Sequence, residues 1–147
     1  MGVPTVPLDR GGLRVSALAL GTAPLGNLFA PVPEEDATAT VRAALEAGLT
    51  YVDTAPHYGL GLAERRLGRL LAGRPRDRFG VSTKVGRLVR PLAPGETADP
   101  EGFADSPPAK RVWDFSGDGV RRSLEESLER LGLDRFDIML VHDPDDH

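Results

Sequence analysis

Tyr51-Val52-Asp53-Thr54-Ala55-Pro56-His57-Tyr58-Gly59 is the stretch on which the reading of this chain turns. Tyr51 and Val52 form a short apolar strand that ends in Asp53, and Tyr58 falls in the loop directly after it. A helix is expected from about Leu62 to Ala72, because Ala63, Leu67, Leu70 and Leu71 recur on one face. Upstream, the spacing predicts another helix over Glu34 to Ala47. Pro33 and the carboxylates of Glu34, Glu35 and Asp36 suit its positive end, and Gly48 suits its stop. Val41, Ala44, Leu45 and Leu49 supply its apolar stripe. Before it, Leu18-Ala19-Leu20 is a buried-strand signal stopped by Gly21. Earlier still, Thr5 to Leu8 and Leu13 to Ser16 flank Asp9-Arg10-Gly11-Gly12, which predicts a hairpin.

Downstream, Phe79-Gly80-Val81-Ser82-Thr83-Lys84 reads as a third strand and Phe136-Asp137-Ile138-Met139-Leu140-Val141 as a fourth. Between them a helix carries Val120, Leu124, Leu128 and Leu131, capped by Ser116 or Asp118 and stopped at Gly132. Strands alternating with helices imply right-handed crossovers and a parallel sheet, an α/β fold. Gly86 to Phe115, with Pro91, Pro94, Pro100, Pro107 and Pro108, is expected to be one long loop. It would emerge at the C-terminal face of the sheet, where α/β enzymes place their active sites.

Composition narrows the function classes. The 147 residues suffice for one domain with a sizeable core. The absence of cysteine excludes a disulfide scaffold, a thiolate metal site and a cysteine nucleophile. A net charge of −4 argues against a nucleic-acid binder. No apolar run approaches membrane-spanning length, and Met1-Gly2-Val3-Pro4-Thr5-Val6 lacks a signal peptide's charged and apolar regions, so a soluble cytoplasmic protein is expected. All the basic residues except Lys84 and Lys110 are arginine. A retained lysine among so many arginines suggests chemistry that a guanidinium cannot do.

The strand ends carry that chemistry. Asp53 closes the second strand, Lys84 the third, and His142 follows the fourth, while Tyr58 lies just beyond Asp53. Parallel strands bring such ends to a common mouth. Tyrosine, with an ordinary pKa of about 10, needs help to move a proton near neutrality. A lysine ammonium favours the tyrosinate, an aspartate holds the lysine, and a histidine can hydrogen-bond a substrate oxygen. Taken singly, each has a structural reading: a turn aspartate, a packing tyrosine, a lysine snorkelling to solvent, a structural histidine. Their shared position at the strand ends brings the chemical reading level with the structural one.

Other motifs carry less. Gly59-Leu60-Gly61-Leu62-Ala63-Glu64 begins like a dinucleotide fingerprint, but Glu64 stands where the third glycine belongs and a loop precedes it. His142-Asp143-Pro144-Asp145-Asp146-His147 offers metal-ligating groups too close in sequence to converge unaided, so no metal is expected.

The motifs together resemble the aldo-keto reductase superfamily. The resemblance lies in Leu20-Gly21-Thr22-Ala23-Pro24-Leu25-Gly26, in Tyr51 to Gly59, in Glu64 with Leu67-Gly68, and in Ser82-Thr83-Lys84. It continues through Ser123-Leu124-Glu125 and Ser127-Leu128-Glu129-Arg130-Leu131-Gly132-Leu133-Asp134. It implies a (β/α)8 barrel with a hairpin closing its bottom. It also implies hydride transfer between NAD or NADP and a carbonyl or alcohol, with a catalytic set falling on Asp53, Tyr58, Lys84 and His142. Tyr58 would be the acid or base, Lys84 and Asp53 would tune it, and His142 would orient the carbonyl oxygen. Trp113-Asp114-Phe115-Ser116 and His142-Asp143-Pro144-Asp145 look most like the aldose, fucose and pyridoxal dehydrogenase branch, with Trp113 a candidate substrate wall or packing residue.

A complete barrel takes about 250 residues, so residues 1–147 are expected to form one partial barrel domain, its N-terminal half. The residues that hold the cofactor's phosphates are expected mostly in the other half. Open strand edges would invite self-association. Two readings follow: an oxidoreductase acting on a sugar or small carbonyl compound, or a non-catalytic half-barrel that serves as an interaction module. A metal-assisted hydrolase is a remote third.

Overall fold

The computed structural model describes residues 2–8, 12–97 and 99–146. Its centre is a four-stranded parallel sheet of β3 (Ala19–Gly21), β4 (Tyr51–Asp53), β5 (Gly80–Val85) and β8 (Ile138–Val141), ordered as they occur in the chain. Each strand after β3 is reached through a helix: α1 (Glu34–Glu46), α2 (Leu62–Leu71) and α3 (Gly117–Leu131). Sequential order with crossovers of one hand puts all three helices on the same side of the sheet. The core lies between, where Val52 and Val81 of the sheet meet Ala37, Val41, Ala63, Leu67, Leu71 and Leu131 of the helices. No helix among the described residues is long and apolar enough to cross a membrane.

The predicted N-terminal hairpin is present as β1 (Thr5–Pro7) paired antiparallel with β2 (Arg14–Ser16); Asp9, Arg10 and Gly11 of its turn lie outside the described residues. Ser16 ties β2 to the sheet, since its hydroxyl accepts from the Thr50 and Tyr51 amides at 3.1 and 3.0 Å. At α3 the cap is Ser116, whose Oγ accepts from the Gly119 amide, and Asp118 sits in the first turn. The helix turns its small residues inward: Ser123 and Ser127 are buried, while Leu124 and Leu128 line a groove beside β8. Small side chains are needed because α2 and α3 cross closely, and a Cβ on Gly68 would stand 2.5 Å from the Leu131 carbonyl oxygen. Charge also enters this layer: Glu64 of α2 is fully buried and accepts from Arg130 of α3 at 2.5 Å.

One expectation fails. The span from Gly86 to Phe115 is not a long loop but a second antiparallel hairpin, β6 (Arg87–Pro91) with β7 (Ala109–Trp113). The prolines at 94, 100, 107 and 108 are confined to its connection, and Pro91 ends its first strand, where a missing amide costs little. The connection is anchored: Phe29 donates its amide to the Gly102 carbonyl at 2.7 Å, and Ala104 donates to Asn27 at 2.9 Å. These bonds fold it over the C-terminal ends of the strands.

Candidate active site

Asp53 and Ser82 are register partners on β4 and β5. Side chains alternate along a strand, so Lys84, two residues after Ser82, points to the same face. This alternation explains the observed bonds. Ser82 Oγ donates to Asp53 Oδ1 and Lys84 Nζ donates to Asp53 Oδ2, each at 2.6 Å. Tyr51 in turn donates its hydroxyl to Ser82 Oγ at 3.0 Å, and Lys84 also donates to the Thr54 carbonyl at 3.2 Å. Both oxygens of Asp53 are therefore engaged, and its carboxylate cannot swing away from the ammonium.

Tyr58 is placed by a tight turn after β4, in which the Tyr58 amide donates to Ala55 and the Gly61 amide to Pro56. Gly59 has φ +59°, and a Cβ there would lie 2.3 Å from the Gly26 carbonyl oxygen. Only glycine permits both that conformation and that approach. The turn sets the Lys84 ammonium 4.9 Å from the centre of the Tyr58 ring. Phe103, from the β6–β7 connection, stacks with the Tyr58 ring, with ring centres 6.1 Å apart. His142 follows β8 and hangs from β5 through its amide, which donates to Val85 at 3.0 Å. Its buried ring stands edge-to-face with Tyr58 at 6.1 Å and with His57 at 5.2 Å. All four residues expected from the strand ends thus converge, although Lys84 is the penultimate rather than the last residue of β5.

The electrostatics follow from the contacts. Burial opposes the charge on Lys84, but its hydrogen bond to Asp53 and the interaction with Tyr58 outweigh it, and the ammonium pKa is raised. Burial, together with the Arg87 and Lys84 charges, pulls His142 down to about 4, with Asp143 opposing. Burial and the nearby Arg111 and Arg87 guanidiniums pull His57 down to about 3. Both imidazoles are neutral near pH 7. Among the described residues the buried Nδ1 of His142 has no hydrogen-bond partner.

Sequence reasoning did not single out His57, Phe103, Arg87 or Arg111, yet all four wall this mouth. Arg87-Leu88-Val89-Arg90 and Lys110-Arg111-Val112-Trp113 do not alternate polar with apolar residues, so the two strands carried no period-two signal, and the prolines between them read as loop. Trp113 sits opposite Arg87 in the hairpin register, with the Arg87 guanidinium 3.9 Å from its ring centre and Phe115 at 5.6 Å. Among the described residues no group of three or more histidine or carboxylate side chains is set to hold a metal ion; His147 lies outside them. A separate cavity of about 660 Å³ lies under the β6–β7 connection, with Phe103 as the wall it shares with the mouth.

Comparison with known proteins bears on the family and the fold. A profile of the Aldo/keto reductase family matches residues 17–147. The chain is 49% identical over 139 residues to D-threo-aldose 1-dehydrogenase from a Pseudomonas species, covering 92% of this chain and 42% of that protein. It is 44% identical over 144 residues to pyridoxal 4-dehydrogenase from Microbacterium luteolum, with the same two coverages. An aldo-keto reductase from Bacillus halodurans, solved in its holo form, superposes with a TM-score of 0.72 at 31% identity, over 98% of this chain and 43% of that one. One from Klebsiella pneumoniae, solved in complex with NADPH, superposes with a TM-score of 0.65 at 27% identity, over 97% and 40%. The chain thus spans less than half the length of the relatives it matches. Its parallel sheet and three helices are that portion of their barrel. The chain belongs to the aldo/keto reductase family.

Proposed function

We propose that this chain carries the proton-handling end of an NAD(P)-dependent oxidoreductase site acting on a sugar or a small aldehyde or alcohol, with aldose 1-dehydrogenation as the specific reaction. The observation that carries this reading is the Lys84 ammonium, held by Asp53 on one side and lying at the Tyr58 ring on the other. The donor set fits the reacting end of a nicotinamide cofactor. A phenol, a fixed ammonium and an imidazole are the groups that one carbonyl or alcohol oxygen would hydrogen-bond. When bound, the nicotinamide accepts or supplies the hydride.

The chain's own residues handle the proton. Tyr58 takes it from the substrate hydroxyl during oxidation and returns it during reduction. Lys84, with its pKa raised, is a fixed positive charge at the Tyr58 ring rather than a proton carrier. Asp53 holds that charge in place, and Ser82 holds Asp53. His142 is neutral and binds the substrate oxygen by hydrogen bonding. The resemblance to D-threo-aldose 1-dehydrogenase and pyridoxal 4-dehydrogenase supports a polyhydroxylated or small carbonyl substrate.

The test joins residues 1–147 to the remaining C-terminal segment of the Pseudomonas relative. Aldose-dependent reduction of NAD or NADP by the folded chimera is the expected result. A folded chimera with no turnover on either cofactor sinks the reading. The second reading, a non-catalytic interaction module, is favoured by one feature: β8 presents Met139, Leu140 and Val141 about half exposed at a sheet edge.

A further inference from the structure

The β6–β7 hairpin delivers two buried guanidiniums to the wall of the mouth. Register pairs Arg87 with Trp113 and Val89 with Arg111, so Arg87 and Arg111 stand diagonally on one face of the hairpin. Arg111 Nε donates to His57 Nδ1 at 2.6 Å, while Arg87 Nη1 lies beside the ring, 3.0 Å from Nδ1 and 3.4 Å from Nε2, so Arg111 is the contact that distinguishes the two nitrogens. Arg111 is itself fixed by the Asp99 carbonyl at 2.9 Å and the Pro100 carbonyl at 3.3 Å. Arg87 reaches the other way, to Glu101 at 3.2 Å and to Asp143, the residue after His142. Asp143 holds a left-handed backbone, φ +41°, so the turn carrying His142 is strained and needs an anchor.

We propose that Arg87 and Arg111 are positioning residues: together they hold His57 as a neutral imidazole with its proton on Nε2 and anchor the turn that presents His142 beside Tyr58. The reason is donor–acceptor logic. A ring nitrogen that accepts from a guanidinium carries no proton, so the ring's single proton is on Nε2. The groups facing His57 are Arg111 of β7, Arg87 of β6, Glu101 of the connection, Lys84 of β5, and Tyr58 and His142. Those acting on His142 are Arg87, Asp143, Lys84 and Asp53. Cations dominate around His57, so protonating it is costly. The pair of imidazoles therefore forms a non-ionising, hydrogen-bonding wall.

This inference deepens the proposed oxidoreductase reading, but its test does not need turnover. Heteronuclear NMR of the imidazole rings in the 147-residue chain reports tautomer and titration together, with His57→Gln assigning the signal. The expected parent spectrum shows His57 in the Nε2–H form, titrating near 3 rather than at the ordinary 6.5. Arg111→Met should raise that titration by about 1–3 pH units and release the tautomer. Arg111→Lys, which keeps a charged donor, should return it part of the way. Arg87→Met should raise the His142 titration, since Arg87 is the larger of the charges acting on it. A parent His57 that titrates normally, or carries its proton on Nδ1, overturns the proposal, whether or not any arginine variant folds. An unchanged His57 in folded Arg111→Met overturns it too. Inactivity of the chimera would leave these spectra untouched and would count only against the oxidoreductase reading.

Discussion

Lys84 Nζ stands 2.6 Å from Asp53 Oδ2 across two neighbouring parallel strands, and Ser82 occupies the carboxylate's other oxygen. That arrangement fixes a positive charge at the ring of Tyr58 without leaving the carboxylate free to compete for the phenolic proton.

Tyr58→Phe removes only the hydroxyl, so the Lys84 charge and the stacking on Phe103 survive. In the chimera, turnover should fall by about 10²–10⁴, the usual contribution of a positioned acid or base, with cofactor affinity nearly unchanged. Steady-state kinetics and cofactor titration check this; turnover within threefold of the parent, or about one-half of a tenfold step, takes the role away from Tyr58.

Asp53→Asn leaves the shape but strips the partner from a half-buried ammonium. Stability should fall by about 1–3 kcal/mol, and the alkaline limb of the pH–rate profile should move, because Lys84 then loses the bond that raises its pKa. Lys84→Arg keeps the charge, yet a planar guanidinium cannot make the same compact contact with Asp53, Thr54 and the Tyr58 ring, so it should also be slow. Urea unfolding and pH–rate profiles decide between these expectations and parental behaviour.

Stability should depend on pH at both ends. His57 and His142 have folded pKa values depressed below 6.5, so the unfolded chain binds more protons as the medium acidifies. Their contribution is whole above 6.5 and is lost as pH falls toward about 4 and then about 3. The slope reaches up to about 1.4 kcal/mol per pH unit for each proton taken up. Lys84 is the opposite case: with its pKa raised, its contribution is whole below the ordinary 10.5 and is lost as pH rises through the folded value. Urea midpoints measured across pH give the two limbs, and a flat acid limb contradicts buried neutral imidazoles.

Residues 1–147 alone should bind NAD and NADP only weakly and should self-associate. The chain spans 42% of each of the two dehydrogenases compared above, and the role proposed for the residues it brings together lies at the carbonyl end of a ligand rather than at its phosphates. Met139, Leu140 and Val141 are 50%, 44% and 53% exposed on edge strand β8, an apolar edge open to pairing. Calorimetric titration and light scattering provide the readouts, and low-micromolar cofactor binding by a monomer is the contrary result.

The local elements were legible in the sequence because their signals are local. The carboxylates of Glu34, Glu35 and Asp36 mark the start of α1, Ser116 caps α3, and Tyr51-Val52-Asp53 is a strand in the structure as in the reading. The convergence of Asp53, Tyr58, Lys84 and His142 was legible too, since parallel strands necessarily bring their ends to one face. Tertiary structure alone decided what surrounds them. Arg111 reaches His57 from 54 residues away, and Arg87 reaches Asp143 from 56. Such contacts depend on the β6–β7 register and on how the connection folds back, not on any neighbour in the chain. Short strands separated by prolines carry too little periodicity to announce a hairpin. A histidine's charge, moreover, is set by the field of whatever packs on it. Composition and spacing therefore determined the scaffold and the convergence of these four side chains, while the state of the two imidazoles was decided only when distant guanidiniums were packed against them.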